Sequence, residues 1–204
     1  MQQQHKKFCH LLMILVNLAS CLPVRGFFLQ SLSPVKSNSL LPSLEALIEE
    51  SKSGVDLDRL DEIKELMIEI SETRKGDQRK SLPGQWELIF TTEKEVNFFK
   101  TSWPFAKVAS ITQEIDPYGT NCVDNSINFE GGGEFAVTGK VVPVDSDSEY
   151  DRIEFEFTSA IAKVWGKELN LPPVGTGWFD TMFCEGNYRL SRDNRGDWSV
   201  FRRR

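Results

Sequence analysis

The chain has 204 residues, 30 acidic against 24 basic, a formal charge of −6 and 40% hydrophobic side chains. That length carries one domain with a sizeable core plus extensions, and the acidic balance argues against nucleic acid as the main partner. Both histidines, His5 and His10, fall near the start, so the rest of the chain has no imidazole for Ser-His or Cys-His catalysis or for a His-ligated metal.

Residues 1–26 contain Lys6, Lys7 and Arg25 and no acid, around an apolar run from Phe8 to Val24 whose uninterrupted core, Leu11 to Val16, is too short to span a membrane. They read as a secretory signal peptide, with an uncleaved anchor as the alternative. Residues 27–39 are serine-rich, carry Lys36 and no acid, and have the composition of a transit segment; simple secretion followed by a linker is the bland alternative. Cys9 and Cys21 belong to this leader. Cys122 and Cys184 remain, either as one bridge or as two unpaired thiols.

From residue 40 to about residue 74 the apolar period is helical. Leu41, Leu44, Leu47 and Ile48 form one stripe; Leu57, Leu60, Ile63, Met67 and Ile70 form a second, with Asp56 or Asp58 as its cap. The outward faces carry Glu62, Glu65 and Glu69, which anionic lipid would repel, so packing of the stripes on the domain is favoured over a membrane-surface role. Thr73 to Lys80 is a charged loop. Trp86, Leu88 and Phe90 then alternate in an opening strand. Phe98, Phe99, Trp103 and Phe105 follow as an aromatic loop broken by Pro104, which either caps a barrel mouth or touches membrane.

Strands are expected over Val108 to Ile115, Cys122 to Phe129, Phe135 to Val142 and Arg152 to Ser159. In the last, Ile153, Phe155 and Phe157 point inward. Gly131-Gly132-Gly133 lacks the strand-loop-helix setting of a phosphate loop and reads as a turn. Asp145 to Asp151 is an acidic exposed loop without calcium-loop spacing. Ala160 to Val174 is a longer crossing. Turns at Glu185-Gly186-Asn187 and Asp193 to Asp197 cut the C-terminal stretch into three strands. In the middle one Tyr188, Leu190 and Arg192 face one way, Arg189 and Ser191 the other. About eight antiparallel strands without βα alternation fit a closed barrel, which has room for one small apolar ligand.

Several of these residues resemble a family. Gly84-x-Trp86-x-Leu88-x-Phe90-Thr91 is similar to the opening strand of the plastid lipid-associated proteins, also called plastid fibrillins. Trp178-Phe179-Asp180-Thr181, Phe183, Glu185, Arg189-Leu190-Ser191-Arg192, Gly196 and Val200-Phe201 resemble their closing motif. Leu190 stands where Ile is usual, Tyr188 where Leu is usual, and Gly186 interrupts a normally acidic turn. A signal peptide followed by Phe27-Phe28 and a transit-like segment likewise resembles the bipartite presequence of algae with secondary plastids.

The resemblance implies a mainly β protein: a lipocalin-like barrel of about eight antiparallel strands over residues 81–204, preceded by a helical extension and loop over residues 40–80. It implies a plastid protein at thylakoids or plastoglobules that binds or organises fatty acids, prenylquinones, carotenoids or galactolipids. No catalysis, cofactor or metal is expected, and the oligomeric state is left open. The expected ligand contacts are Arg189, Asp180, Trp86, Phe155, Phe157 and Trp178, with Arg189 holding the polar end of a lipid and Asp180 orienting it; a closing Asp180–Arg189 salt bridge without ligand is the alternative. A bilin- or pigment-modifying enzyme on the same fold, and a lipid-droplet coat acting only through its surface, are the competing functions.

Overall fold

The computed structural model describes residues 37–51, 59–142, 151–164, 166–172 and 175–204, with side chains from residue 40 onward. The presequence, the candidate caps Asp56 and Asp58, most of the acidic loop, Trp165 and Pro173 lie outside these residues.

The helices are α1 (Ser37–Glu50), α2 (Leu60–Glu72) and α3 (Lys94–Ser102), with a short 3-10 turn at Arg79–Ser81. The strands are β1 (Gly84–Thr91), β2 (Val108–Asp116), β3 (Cys122–Phe129), β4 (Glu134–Val142), β5 (Asp151–Val164), β6 (Lys167–Leu171), β7 (Thr176–Glu185), β8 (Tyr188–Asp193) and β9 (Trp198–Arg203). Eight of them run β4-β3-β2-β1-β9-β8-β7-β5, every described pairing antiparallel, and the β4–β5 ladder closes the ring. The expected long crossing after Ser159 is instead strand. β5 continues to Val164 and turns back as β6, which among the described residues pairs only with residues 160–164 of β5.

Each barrel residue faces either the interior or the outside, and the two faces build separate cores. Inside, Leu82, Trp86, Ile115, Val123, Ile153, Phe179, Cys184 and Phe201 pack together, joined by Leu88, Val141 and Phe155. They fill the end where β1 begins. There Trp86 is fully buried, its indole N–H donates to the Leu82 carbonyl at 2.9 Å, and the Arg203 guanidinium lies 4.2 Å from its ring. Gly84, at φ +136°, makes this floor possible: a Cβ there would stand 2.5 Å from Arg203 Nη1.

Outside, Leu44 and Ile48 of α1 and Ile63, Met67 and Ile70 of α2 meet Phe90, Phe183, Leu190, Trp198 and Val200. The helical stripes thus pack on the barrel, as the acidic outward faces suggested. Polar contacts fix the seating: Tyr188 Oη donates to Glu45 at 2.5 Å, and Arg202 Nη1 donates to the same carboxylate at 3.0 Å. Arg59, in the capping position of α2, makes no side-chain cap. It bridges the helices through Glu50 at 2.5 Å and Glu62 at 2.8 Å.

Phe90 departs from expectation. In the β1–β9 ladder Leu88 pairs with Phe201 but Phe90 with Val200, so Ile89 is an extra residue in a bulge. The bulge turns Phe90 from the interior face of Trp86 and Leu88 to the outer face beneath the helices. The aromatic segment also differs from a plain loop: Phe98 and Phe99 lie on α3, and only Trp103 and Phe105 follow it.

Candidate functional site

Arg189 occupies the barrel interior on β8, opposite Cys184 of β7, with 0% of its surface exposed. Its guanidinium carbon lies 3.9 Å from the Phe201 ring centroid, 5.2 Å from Trp86 and 5.5 Å from Phe179. These ring faces favour a cation but accept no strong hydrogen bonds. Nη2 donates to the side-chain oxygen of Gln113, whose amide nitrogen donates on to Asn125 at 2.7 Å. Among the described residues, no acceptor reaches Nε or Nη1 and no carboxylate pairs with the group. Burial holds the guanidinium down to about 9, with the nearby Arg203 charge adding to the effect, so it stays cationic at neutral pH. A buried cation lacking a full set of acceptors is costly, and a ligand oxygen at Nε or Nη1 would relieve that cost.

Asp180 is not its partner. In the β7–β8 ladder Thr181 pairs with Ser191 but Phe183 with Leu190, which makes Met182 the extra residue of a second bulge. An unbroken alternation would set Asp180, Met182 and Cys184 on one face, and Arg189 with them. The bulge leaves Asp180 outside and sends Cys184 and Arg189 inside. Asp180 instead holds Arg152 of β5 in a bidentate pair, at 2.8 Å to Nε and 2.9 Å to Nη2. The Arg152 guanidinium carbon in turn lies 3.6 Å from the centroid of the Trp178 ring. Trp178 and Asp180 thus form an outer clamp tying β7 to β5, away from the interior.

The remaining interior positions divide by height. Near the floor Ile115, Val123 and Gly139 are buried, whereas higher up Ile111, Gln113, Asn125, Ile127, Phe135 and Val137 are only half-buried. Phe155 and Phe157 face inward from β5, their rings 5.1 Å apart, with Phe155 6.2 Å from Phe179. The interior is therefore closed at the floor by Trp86 and less tightly packed toward the end bearing α3. Over that end the Trp103 ring stacks on Phe129 at 6.2 Å and meets Phe99 at 4.9 Å and Phe105 at 5.2 Å. Phe99 is buried, Phe98 half-buried, and Phe105 remains 49% exposed.

Gln113 was not singled out from the sequence. A signal existed, because Ile111, Gln113 and Ile115 alternate on β2 and place one amide among apolar inward positions. Among the described residues Cys122 and Cys184 are unpaired; Cys184 is buried and its thiol is pushed up to about 11 by burial, which leaves it unreactive.

A family model described as PAP_fibrillin matches residues 44–202. Among curated proteins, the probable plastid-lipid-associated protein 11, chloroplastic, of Arabidopsis thaliana is 32% identical over 121 residues, 59% of this chain and 55% of that protein. The chain thus spans about half the length of the curated relative it matches. No solved structure matches it. The matched stretch runs from the first helical stripe on the barrel to the closing strand. By that extent, and by the strands that carry its opening and closing motifs, the chain belongs to the PAP_fibrillin family, the plastid lipid-associated proteins or fibrillins.

Proposed function

We propose that this chain is a plastid lipid-associated protein that holds a hydrophobic plastid molecule inside its barrel without transforming it. The observation that carries the reading is Arg189: a fully buried cation, two of its nitrogens lacking acceptors among the described residues, set among aromatic rings inside the barrel. A ligand would lay its polar end on Arg189 and its apolar body along Trp86, Phe155 and Phe157. The gain would be about 25 cal/mol per Å² of apolar area removed from water. Fatty acids, prenylquinones, carotenoids and galactolipids are the classes the family suggests, and thylakoids or plastoglobules the location. The name of the chloroplastic relative supports a plastid. Residues 1–39 would supply the route, as a signal peptide followed by a transit-like segment. Phe98, Trp103 and Phe105 at the mouth would touch the membrane surface that supplies the ligand; Phe99 packs beneath them.

The test is to incubate the purified protein with thylakoid lipid extract, repurify it, and identify retained molecules by mass spectrometry and visible absorption. One stoichiometric species, lost in an Arg189→Met variant that still folds, supports the reading. Binding to liposomes with nothing retained would move the function to the outer surface, and loss of that binding in Phe105→Ser would locate it at the mouth.

A further inference from the structure

The wall between β1 and β2 is incomplete. These strands pair only from Gly84–Ile115 to Glu87–Thr112, although β1 runs on to Thr91 and β2 begins at Val108. Leu88 to Thr91 and Val108 to Ile111 therefore face each other without a ladder. Both strands are bulged here on their far sides, β1 at Ile89 against β9 and β2 at Ala109 against β3. A bulge bends its strand, and Phe90 further anchors β1 in the helix-side core. A pocket of about 350 Å³ lies against the outer side of this gap, between the two strands and α1. Its strand walls are Leu88 and Ile89 of β1 and Val108 to Ile111 of β2; α1 adds Ile48, and Lys100 of α3, Arg202 and three glutamates form a mixed-charge rim.

Two of the residues on its strand walls are interior positions. Leu88 pairs with Phe201, and Ile111 with Ile127, so both are inward positions by register. The next inward residue along β2 is Gln113, which already accepts from Arg189. One pleat thus separates the inner wall of the gap from the buried guanidinium. The unpaired strand edges offer backbone N–H and C=O groups to a polar end in transit, and Leu88, Ile89 and Ile111 offer an apolar path to the chain behind it.

We infer that the β1–β2 gap is a lateral portal through which a single-chain amphiphile with a carboxylate or carbonyl end reaches Arg189 polar end first. This rests on the interior-binding reading above and adds the route. A ligand entering at the α3 end would instead pass the Phe99–Trp103–Phe129 cluster, with its polar end crossing the most apolar part of the mouth.

The test uses parinaric acid, a fluorescent polyene fatty acid, and stopped-flow uptake. In a Cys122→Ser background, Ala109→Cys is labelled after folding with a bulky maleimide; Glu130→Cys in the β3–β4 turn and Lys140→Cys on the far wall are labelled in parallel. The expected result is an uptake rate reduced about tenfold or more by the label at position 109 alone, equivalent to roughly 1.4 kcal/mol on the barrier, with the equilibrium amplitude unchanged. An Ala109→Trp variant should reproduce the slowing without chemistry. Unchanged rates with label at position 109, or slowing only with label at position 130, would overturn the portal and leave interior binding standing. Failure of every form, unlabelled included, to take up the probe would remove the interior-binding reading and the portal with it.

Discussion

The barrel has two unlike walls. In β7 every residue from Phe179 to Cys184 is buried; in β3 only Val123 is. The difference is what lies behind each wall. β7, β8, β9 and β1 carry α1 and α2 on their outer face and are buried on both sides, which erases the polar alternation of a one-sided sheet. β2, β3 and β4 face water outside and a less tightly packed interior. The helix-backed wall also carries most of the family's closing motif. Its outer residues Phe183, Leu190 and Val200 serve the helix core; among its interior ones Thr181 and Arg189 are fully buried with polar atoms lacking a partner, and of these two only Arg189 carries a charge. The motif is chiefly architecture with one chemical group set into it.

The sharpest test of that contrast is a pair of truncations. Phe183→Ala, between the barrel and the helices, should lose about 3–5 kcal/mol in urea unfolding. Phe135→Ala, on the half-buried inner face of β4, should lose only about 1 kcal/mol. Arg189→Met should go the other way. Replacing a buried, incompletely partnered cation by an apolar side chain should stabilise the ligand-free protein by about 1–4 kcal/mol while abolishing lipid retention, a split that a purely structural arginine would not show. Asp180→Ala breaks the bidentate pair with Arg152 and should lose about 1.5–3 kcal/mol with lipid retention intact; loss of the ligand instead would place the outer clamp in the binding machinery.

A pH-dependent effect concerns the link between α3 and the β8–β9 turn. There Arg195 Nη2 donates to Glu93 at 2.8 Å and Nη1 to Glu95 at 3.2 Å, with Asp193 and Asp197 alongside. Burial, opposed by Arg195 and reinforced by the two aspartates, pushes the Glu93 carboxyl up to about 7 from 4.5. Because the folded value exceeds the unfolded one, its contribution to stability is full below pH 4.5 and is lost as pH rises through 7. Relative to Glu93→Gln, the native chain should lose about 1–2 kcal/mol across that window after allowance for partial exposure. Parallel stability curves for the two proteins would refute it.

Much of the barrel was legible because strands under one-sided burial advertise their period. Cys122 to Phe129 and the facing of Tyr188 to Arg192 follow directly from alternation and turn residues. The bulges were not legible. Ile89 and Met182 are ordinary apolar residues, and nothing in their identity marks an inserted position, yet each reverses the face of all that follows. That is why Phe90 moved outward and why Asp180 and Arg189, expected as neighbours, stand on opposite sides of the wall. Arg189 itself could be placed inside from the sequence. Its lack of a carboxylate could not, because that depends on which residues other strands turn toward it.

The helix-backed wall also imposes an order in time. α1 and α2 are made before every described strand, but their binding surface on β7, β8 and β9 is synthesised only after β1 to β6. β1 likewise waits for β9 before it has its second neighbour. Contacts spanning such sequence separation form slowly, so two apolar helical stripes must stay uncovered until β7 to β9 arrive. Such a chain depends on being shielded during synthesis, and loss of β9 would deprive α1 and α2 of Trp198 and Val200.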